Sequence, residues 1–157
     1  MQLPINLPQY PIKTRQADGQ LQVFDSLRKR YVALTPEEWV RQHFINYLTE
    51  YKGYPAGLIS VELPVTINSM QQRADIVVFN RSGLPLMVVE CKSPSVKITN
   101  ETYAQAARYN LSLQAPLLVV TNGLNHFCSQ IDLANRSFNS IQEIPEYEVA
   151  LRIASSC

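Results

Sequence analysis

Three charged residues, Asp75, Glu90 and Lys92, lie within or at the end of apolar segments that otherwise have the composition of buried strands. Two carboxylates beside an ammonium are suited to holding a divalent cation and activating a water molecule. Mg²⁺ takes oxygen ligands and commonly uses only one or two protein carboxylates, which leaves positions for water and a phosphate. The pattern has chemical meaning only if the fold brings the three side chains together.

A predicted β-hairpin brings them together. The segments RADIVVFN, 73–80, and PLMVVECK, 85–92, are joined by RSGL, and a glycine-containing connection this short predicts a hairpin. A turn centred on its Ser-Gly pair places Asp75 opposite Glu90. Because side chains alternate along a strand, Lys92 is expected on the same face.

The same register pairs Val77 with Val88 and Phe79 with Leu86 on the face that carries the charges. Opposed carboxylates, with Cβ atoms about 4.5–5.5 Å apart, repel each other and lose solvation beside a core. Two explanations stay open from spacing alone. Either the lysine neutralises one carboxylate in a structural ion cluster, or a divalent cation is held between the two carboxylates.

The segment TPEEWVRQHFINYLTEY, 35–51, predicts an amphipathic helix before these strands. Thr35 is the expected N-cap, Pro36 suits the first helical position, and Glu38 completes a capping box. The helix is expected to end near Gly53. Its expected buried stripe consists of Val40, Phe44, Tyr47, Leu48 and Tyr51.

The remaining pattern predicts an α/β (α+β) fold, a mixed β-sheet flanked by helices in the order helix-strand-strand-strand-helix-strand-strand. The second helix is expected at 100–114. The strand-like segments are 58–63, 73–80, 85–92, 116–122 and 126–131. Unbroken apolar runs in three of them indicate that both sheet faces are covered. Beyond Ile131 the signal for strand or helix is weak, and the role of residues 131–157 stays open.

Residues 1–30 are interpreted as an N-terminal extension, an arm followed by a hairpin that turns at an Asp-Gly pair. The densest positive charge in the chain lies at its end, at Arg28, Lys29 and Arg30. This cluster is interpreted either as a solvated turn or as a patch that contacts phosphate.

The chain has 157 residues, is 46% hydrophobic and 17% charged, and has a net charge of +1, which is typical of one globular domain. No apolar stretch approaches the ~20 residues needed to cross a bilayer, so the expected compartment is the cytoplasm, with no membrane partner. The cysteines are expected to be reduced thiols, because they lack the spacing of a zinc site. They are Cys91, Cys128 and Cys157.

Taken together, Asp75 followed by Glu90-x-Lys92 on the next strand resembles the PD-(D/E)XK nuclease superfamily, with Ala74 where that name has proline. The segments LTPEEWVRQHFINYL, RADIVVFN, VVECKSP and QAARY are similar to the N-terminal nuclease domain of type I restriction enzyme R subunits. The resemblance extends from about Tyr31 to Thr121.

The resemblance implies a role for each site residue. Asp75, Glu90 and the backbone carbonyl of Cys91 would hold Mg²⁺ or Mn²⁺, and Lys92 would orient the attacking water. Glu38 is either a further metal ligand or only the capping residue of its helix. On the second helix, the implied contacts to the active site or DNA are Gln105, Tyr109 and, more weakly, Arg108.

The function implied is a metal-dependent, restriction-type DNA endonuclease. The alternative is a catalytically silent nucleic-acid or protein-binding module on the same fold. The implied partners are DNA, motor, methylation or specificity subunits, and a second copy of the chain, because cutting both strands usually needs two active sites. The sequence has no G-x-x-x-x-G-K-[ST] phosphate loop, so it does not itself supply the motor.

Overall fold

The structure is a computed structural model that describes residues 1–156. Cys157 lies outside the described residues, whereas Cys91 and Cys128 are free and buried, as expected. The helices are α1 (Pro36–Asn46), α2 (Asn100–Leu113) and α3 (Tyr147–Ser155). The strands are β1 (Thr14–Ala17), β2 (Gln20–Asp25), β3 (Arg30–Ala33), β4 (Ile59–Ile67), β5 (Met70–Phe79), β6 (Pro85–Cys91), β7 (Leu117–Thr121), β8 (His126–Asp132) and β9 (Ser137–Ile141).

The central feature is a six-stranded mixed sheet in which β4 to β9 lie in sequence order. Only β6 and β7 are parallel, because α2 crosses over between them, and every other neighbouring pair is antiparallel. The predicted fold class and element order are therefore confirmed. The weakly patterned end of the chain adds one more strand, β9, and the helix α3.

Both faces of this sheet are buried, as the apolar runs predicted. One core contains Val40 and Phe44 of α1, and the strand residues Ile76 and Val89. The other contains Val77, Val88 and Leu118, packed against Ala106 of α2. Each of these side chains is at most 1% exposed. The sheet therefore forms a rigid support on which strand ends can place polar groups.

The β5–β6 hairpin has the predicted register near the charges and departs from it at the turn. Val77 pairs with Val88, as predicted, but Phe79 pairs with Pro85 rather than with Leu86. The cause is Asn80, whose side-chain oxygen accepts the backbone N–H groups of Ser82 and Leu84 and so closes the turn one residue early. A bulge between Val78 and Phe79 restores the register toward the strand ends.

Helix α1 is buried on all sides from Glu38 to Ile45, not along one stripe. The Thr35 side chain caps it as predicted, by accepting the Glu38 backbone N–H. The prediction for Tyr51 is wrong, since this residue is 57% exposed. After Asn46 the chain widens into a π-helical turn, Tyr47–Tyr51, and the changed number of residues per turn rotates Tyr51 outward.

The N-terminal residues cover the side of α1 that does not face the large sheet. Strands β1 to β3 form a separate antiparallel sheet whose predicted Asp18-Gly19 turn has both residues at positive φ. The preceding arm packs against the α1 core and is fixed by the Asn6 backbone N–H, which donates to the Gly123 carbonyl at 2.7 Å. Among the described residues, none of the helices has the length and apolar character needed to cross a membrane.

Candidate active site

A cleft of about 460 Å³ opens where the middle of β5 and the C-terminal end of β6 meet the N-terminal parts of α1 and α2. It is lined by Glu37, Asp75, Glu90, Cys91, Lys92, Ser93, Val96, Thr102 and Gln105. The predicted catalytic residues are thus brought together in one place, and Gln105 joins them from α2. Near this cleft the β4–β5 ladder is interrupted, since pairing stops at Val61 with Ile76 and resumes at Leu63 with Ala74.

Glu90 is the most buried of the acidic residues that line the cleft. It is only 8% exposed, and its Oε2 atom is buried with no hydrogen-bond partner among the described residues. Its Oε1 atom lies 3.4 Å from the Lys92 ammonium. Burial and the neighbouring Asp75 carboxylate raise the pKa of Glu90 to about 8, although Lys92 acts in the opposite direction. Glu90 therefore retains its proton near neutral pH, and one of its oxygens is left without a partner among the described residues.

Asp75 is held on both of its carboxylate oxygens. Oδ2 accepts the Cys91 backbone N–H at 2.8 Å, and Oδ1 lies 3.5 Å from the Arg41 guanidinium. Burial raises the pKa of Asp75, while the Cys91 N–H and Arg41 partly offset that rise. The side chain therefore has little freedom to rotate, and its carboxylate lies beside that of Glu90.

The three predicted α2 residues differ in how they are placed relative to the cleft. Gln105 is exposed and lines the cleft, and Tyr109 is partly buried. Burial raises the pKa of Tyr109, and the nearby Glu90 charge raises it further. Arg108 is exposed and does not line the cleft. Of the three, Gln105 lines the cleft, Tyr109 lies outside the lining but within range of the Glu90 charge, and Arg108 lies outside the lining.

Glu38 does not line the cleft but belongs to what we call the arginine cluster, formed by Asp25, Arg28, Glu38, Arg41 and Glu62. Its carboxylate accepts hydrogen bonds from Arg41, Gln42 and, at 2.8 Å, Arg28. Burial alone would raise the pKa of Glu38, but these donors hold it below its usual value. Only half of the predicted capping box forms, because the carboxylate is used in this cluster.

The structure adds three residues that sequence analysis did not single out. Glu37, one residue before Glu38, is exposed and is the α1 carboxylate that lines the cleft. Arg41 connects the arginine cluster to Asp75. Glu62 lies within the strand β4 at φ +52, a conformation that costs a non-glycine residue about 1–3 kcal/mol. Arg28, Arg41 and Arg73 contact its carboxylate.

Only the Glu38–Arg41 pair left a signal in the sequence. An acidic residue three positions before a basic one on a helix is a common surface pair, so it pointed to no site. Glu37 and Glu38 are both acidic and adjacent, and the cap pattern favoured Glu38 because of its position alone.

Within residues 1–156, no group of three or more histidine, cysteine or acidic side chains is arranged to hold a metal ion. The donors at the cleft nevertheless fit a hard divalent cation. They are oxygen atoms of Asp75 and Glu90, and one of them is buried and unpartnered. A small cation with several water ligands needs only one or two protein carboxylates, so this donor set fits Mg²⁺ or Mn²⁺.

Comparison with known proteins bears on the fold and the family of the chain. A fragment assigned as an HsdR subunit of a type I restriction enzyme from Vibrio vulnificus YJ016 has 20% sequence identity and a TM-score of 0.57, over 78% of this chain and 26% of that chain. A crystal structure assigned as a nuclease of the DUF820 group from Anabaena variabilis ATCC 29413 has 13% identity and a TM-score of 0.45, over 96% and 88% of the two chains. No curated protein matches the chain.

The fold is therefore that of a restriction-enzyme-like nuclease domain. A family model described as Type I restriction enzyme R protein N terminus (HSDR_N) matches residues 36–145, and the chain belongs to this family. The resemblance predicted from the sequence is confirmed. The chain spans about a quarter of the Vibrio fragment, since it covers 26% of that chain. The match begins at the first residue of α1, so strands β1 to β3 lie outside it.

Proposed function

We propose that this chain is a Mg²⁺-dependent endonuclease domain that hydrolyses phosphodiester bonds in DNA. The observation that carries the proposal is the buried, unpartnered Glu90 Oε2 beside the fixed carboxylate of Asp75, in a cleft that also contains Lys92. A purely structural ion cluster would leave no such atom, because lysine and arginine would satisfy every oxygen, as they do for Glu38.

Asp75, Glu90 and the backbone carbonyl of Cys91 are the proposed ligands of the cation. When bound, Mg²⁺ or Mn²⁺ would lower the pKa of a water molecule and stabilise negative charge on the phosphate. Asp75 is kept in its orientation by the Cys91 N–H and by Arg41, so the ligand pair is organised in advance. We retain Glu38 only as an indirect contributor, through Arg41, and assign the α1 carboxylate that faces the cleft to Glu37.

Lys92 is the proposed group that acts on the attacking water. Its side chain is 29% exposed, so its ammonium reaches both Glu90 and the open side of the cleft. There it would donate a hydrogen bond to the water or to a non-bridging phosphate oxygen and offset the charge that develops. Gln105 and Tyr109 would contact the substrate or the water from α2.

The first experiment tests metal binding without depending on turnover. The melting temperature of the metal-free protein is measured while Mg²⁺ or Mn²⁺ is added, in the wild type and in an Asp75→Ala, Glu90→Ala double variant. Stabilisation of the wild type is expected, amounting to about 2.7 kcal/mol at a hundred times the dissociation constant. A Glu143→Ala, Glu148→Ala variant removes two exposed carboxylates and should retain the full effect.

The second experiment separates an enzyme from a binding module. Cleavage of linear, nicked and branched DNA is measured for the wild type and for Lys92→Ala in the presence of the metal. Loss of cleavage by a factor of about 100 or more is expected if Lys92 acts on the water. If the protein binds metal but shows no Lys92-dependent cleavage, it is the silent binding module instead.

In the first experiment, equal stabilisation of the wild type and of the double carboxylate variant by the metal would exclude the metal site.

The biological setting that we propose follows from the family. A domain of a type I restriction R subunit acts on DNA within a multi-subunit assembly, with a motor supplied outside the region described. Because double-strand cleavage needs two such sites, we propose that two copies act together. The proposed compartment is the cytoplasm, where DNA and reduced thiols are found together.

A further inference from the structure

The N-terminal sheet has a charge distribution unlike that of the rest of the chain. Residues 1–30 contain five basic and two acidic residues, for a net charge of +3. Residues 31–157 contain nine basic and eleven acidic residues, for a net charge of −2. The total of +1 therefore conceals a separation of charge, and the positive part lies outside the family match at 36–145.

Most of this positive charge is available to a ligand. Four cations are exposed and form what we call the N-terminal basic surface: Lys13, Arg15, Lys29 and Arg30. The fifth, Arg28, is used internally by Asp25 and Glu38. Of the two acidic residues of this segment, Asp25 is buried against Arg28, which leaves Asp18 exposed. A surface with four exposed cations and one exposed carboxylate attracts a polyanion.

Aromatic rings fix part of this surface. Arg15 lies over the Tyr31 ring with its guanidinium carbon 3.9 Å from the centroid, and Lys13 lies over the Phe24 ring at 5.6 Å. The opposite face of the same sheet is apolar, because Leu21, Val23 and Val32 pack against the α1 core. Lys13 and Arg15 are therefore held on the face of the sheet opposite the apolar face, whereas Lys29 and Arg30 lie at the β2–β3 turn.

The same sheet is tied to the candidate active site. Arg28 lies in the β2–β3 turn directly before Lys29 and Arg30, and it contacts Glu38 at 2.8 Å and Glu62 at 3.6 Å. Arg41 contacts both of these acids and also Asp75. A short series of ion pairs therefore connects the β2–β3 turn, which carries Lys29 and Arg30, to Asp75 in the cleft.

We infer that the N-terminal basic surface binds the phosphate backbone of the DNA and guides the duplex into the cleft. The inference rests on the proposed function, because it takes DNA as the substrate, but it assigns the binding to strands that lie outside the matched family region. Backbone contacts by lysine and arginine are independent of sequence and supply most of the affinity of non-specific DNA binding. The remainder of the chain, with its net charge of −2, supplies no net positive charge to attract DNA.

The experiment measures the affinity for a fluorescent DNA duplex by anisotropy at several salt concentrations, in EDTA so that cleavage does not occur. The test variant is Arg15→Gln, Lys29→Gln, Arg30→Gln. The control is Arg81→Gln, Arg136→Gln, Arg152→Gln, which removes three exposed cations elsewhere, including Arg81 over the Tyr147 ring at 5.3 Å. The two variants have the same net charge, so any difference between them reports the position of the cations.

The test variant should bind DNA about tenfold or more weakly than the control, and the slope of log affinity against log salt should decrease in magnitude by about 2 to 3. A variant with Arg15→Lys and Arg30→Lys, which keeps the natural Lys29, should bind DNA nearly as well as the wild type. Equal affinity and equal salt slope in the two variants would overturn the inference. If the wild type does not cleave DNA with metal present but the two variants still differ in metal-free DNA binding, only the proposed function fails, so the two failures are distinguishable.

Discussion

Two groups of buried acids lie side by side in this protein and differ in how their charge is compensated. In the arginine cluster, Asp25 and Glu38 are surrounded by guanidinium groups, and their pKa values are lowered. In the cleft, Asp75 and Glu90 have fewer partners, and burial raises their pKa values. The same residue types are thus in opposite electrostatic states, although Asp75 is more exposed than the two acids of the arginine cluster.

The difference shows which group is structural and which is available for chemistry. The oxygens of Glu38 have partners, so that carboxylate holds α1 against the N-terminal sheet and has no remaining position for a ligand. Glu90 Oε2 has no hydrogen-bond partner in the described part of the chain, which is unfavourable unless a ligand arrives. Arg41 connects the two groups because it contacts both Glu38 and Asp75.

The largest effect is expected from removing the cation that the two groups share. Arg41→Met should lower the free energy of unfolding by about 3–5 kcal/mol, because it leaves Glu38 buried without its main partner. Urea unfolding followed by the fluorescence of Trp39, which is buried beside Glu38, measures this change. Arg81→Met is the matched control, since the Arg81–Glu148 pair is exposed and screened by solvent, and it should change stability much less. If the two variants lost the same free energy of unfolding, Arg41 would contribute no more to stability than an exposed ion pair does.

The second expected effect is a dependence of stability on pH that originates in the cleft. The pKa of Glu90 is about 8 in the folded protein and 4.5 in the unfolded chain, so the folded state binds this proton more tightly. Its stabilising contribution is complete below pH 4.5 and is lost as the pH rises toward 8. Between pH 5 and pH 8, metal-free wild type should lose about 3 kcal/mol more than Glu90→Gln. If the unfolding free energies of the two proteins changed with pH in parallel, the pKa of Glu90 would not be raised in the folded protein.

The smallest effect separates two neighbouring acids of α1. Glu37→Gln should leave the melting temperature unchanged and weaken Mn²⁺ binding about tenfold, because Glu37 lines the cleft. Glu38→Gln should lower the melting temperature while changing Mn²⁺ binding less, because its carboxylate lies in the arginine cluster. Calorimetric titration of each variant with Mn²⁺ gives the affinities. If Glu38→Gln instead weakened Mn²⁺ binding more than Glu37→Gln did, Glu38 would be a metal ligand, which is one of the two roles the sequence left open.

Local sequence signals were sufficient for the elements that position the site. The short connection between β5 and β6 predicted a hairpin, and the pairing of Val77 with Val88 confirms its register beside Asp75 and Glu90. The turn itself was predicted less well, because the hydrogen bonds of the Asn80 side chain compete with simple symmetric closure. Such a side-chain competition is not visible in a pattern of apolar residues.

Long-range packing explains the other differences. The sequence predicted one buried stripe for α1, but the N-terminal arm and sheet cover its second side and bury Arg41, Gln42 and His43 as well. Because these covering residues are distant in sequence, helical periodicity could not reveal them. The same packing brings Arg28 to Glu38 and so transfers this acid from the candidate site to the arginine cluster.

The sequence by itself determined the element order, the hairpin that joins Asp75 to Glu90, and the position of Lys92 at the end of its second strand. These features depend on alternation, turn length and helix capping, which act over a few residues. Only the tertiary structure decided which acids are neutralised and which remain available. Compensation of a buried charge depends on which cation reaches it in space, and here Arg28 and Arg41 reach Glu38 but leave Glu90 Oε2 without a partner.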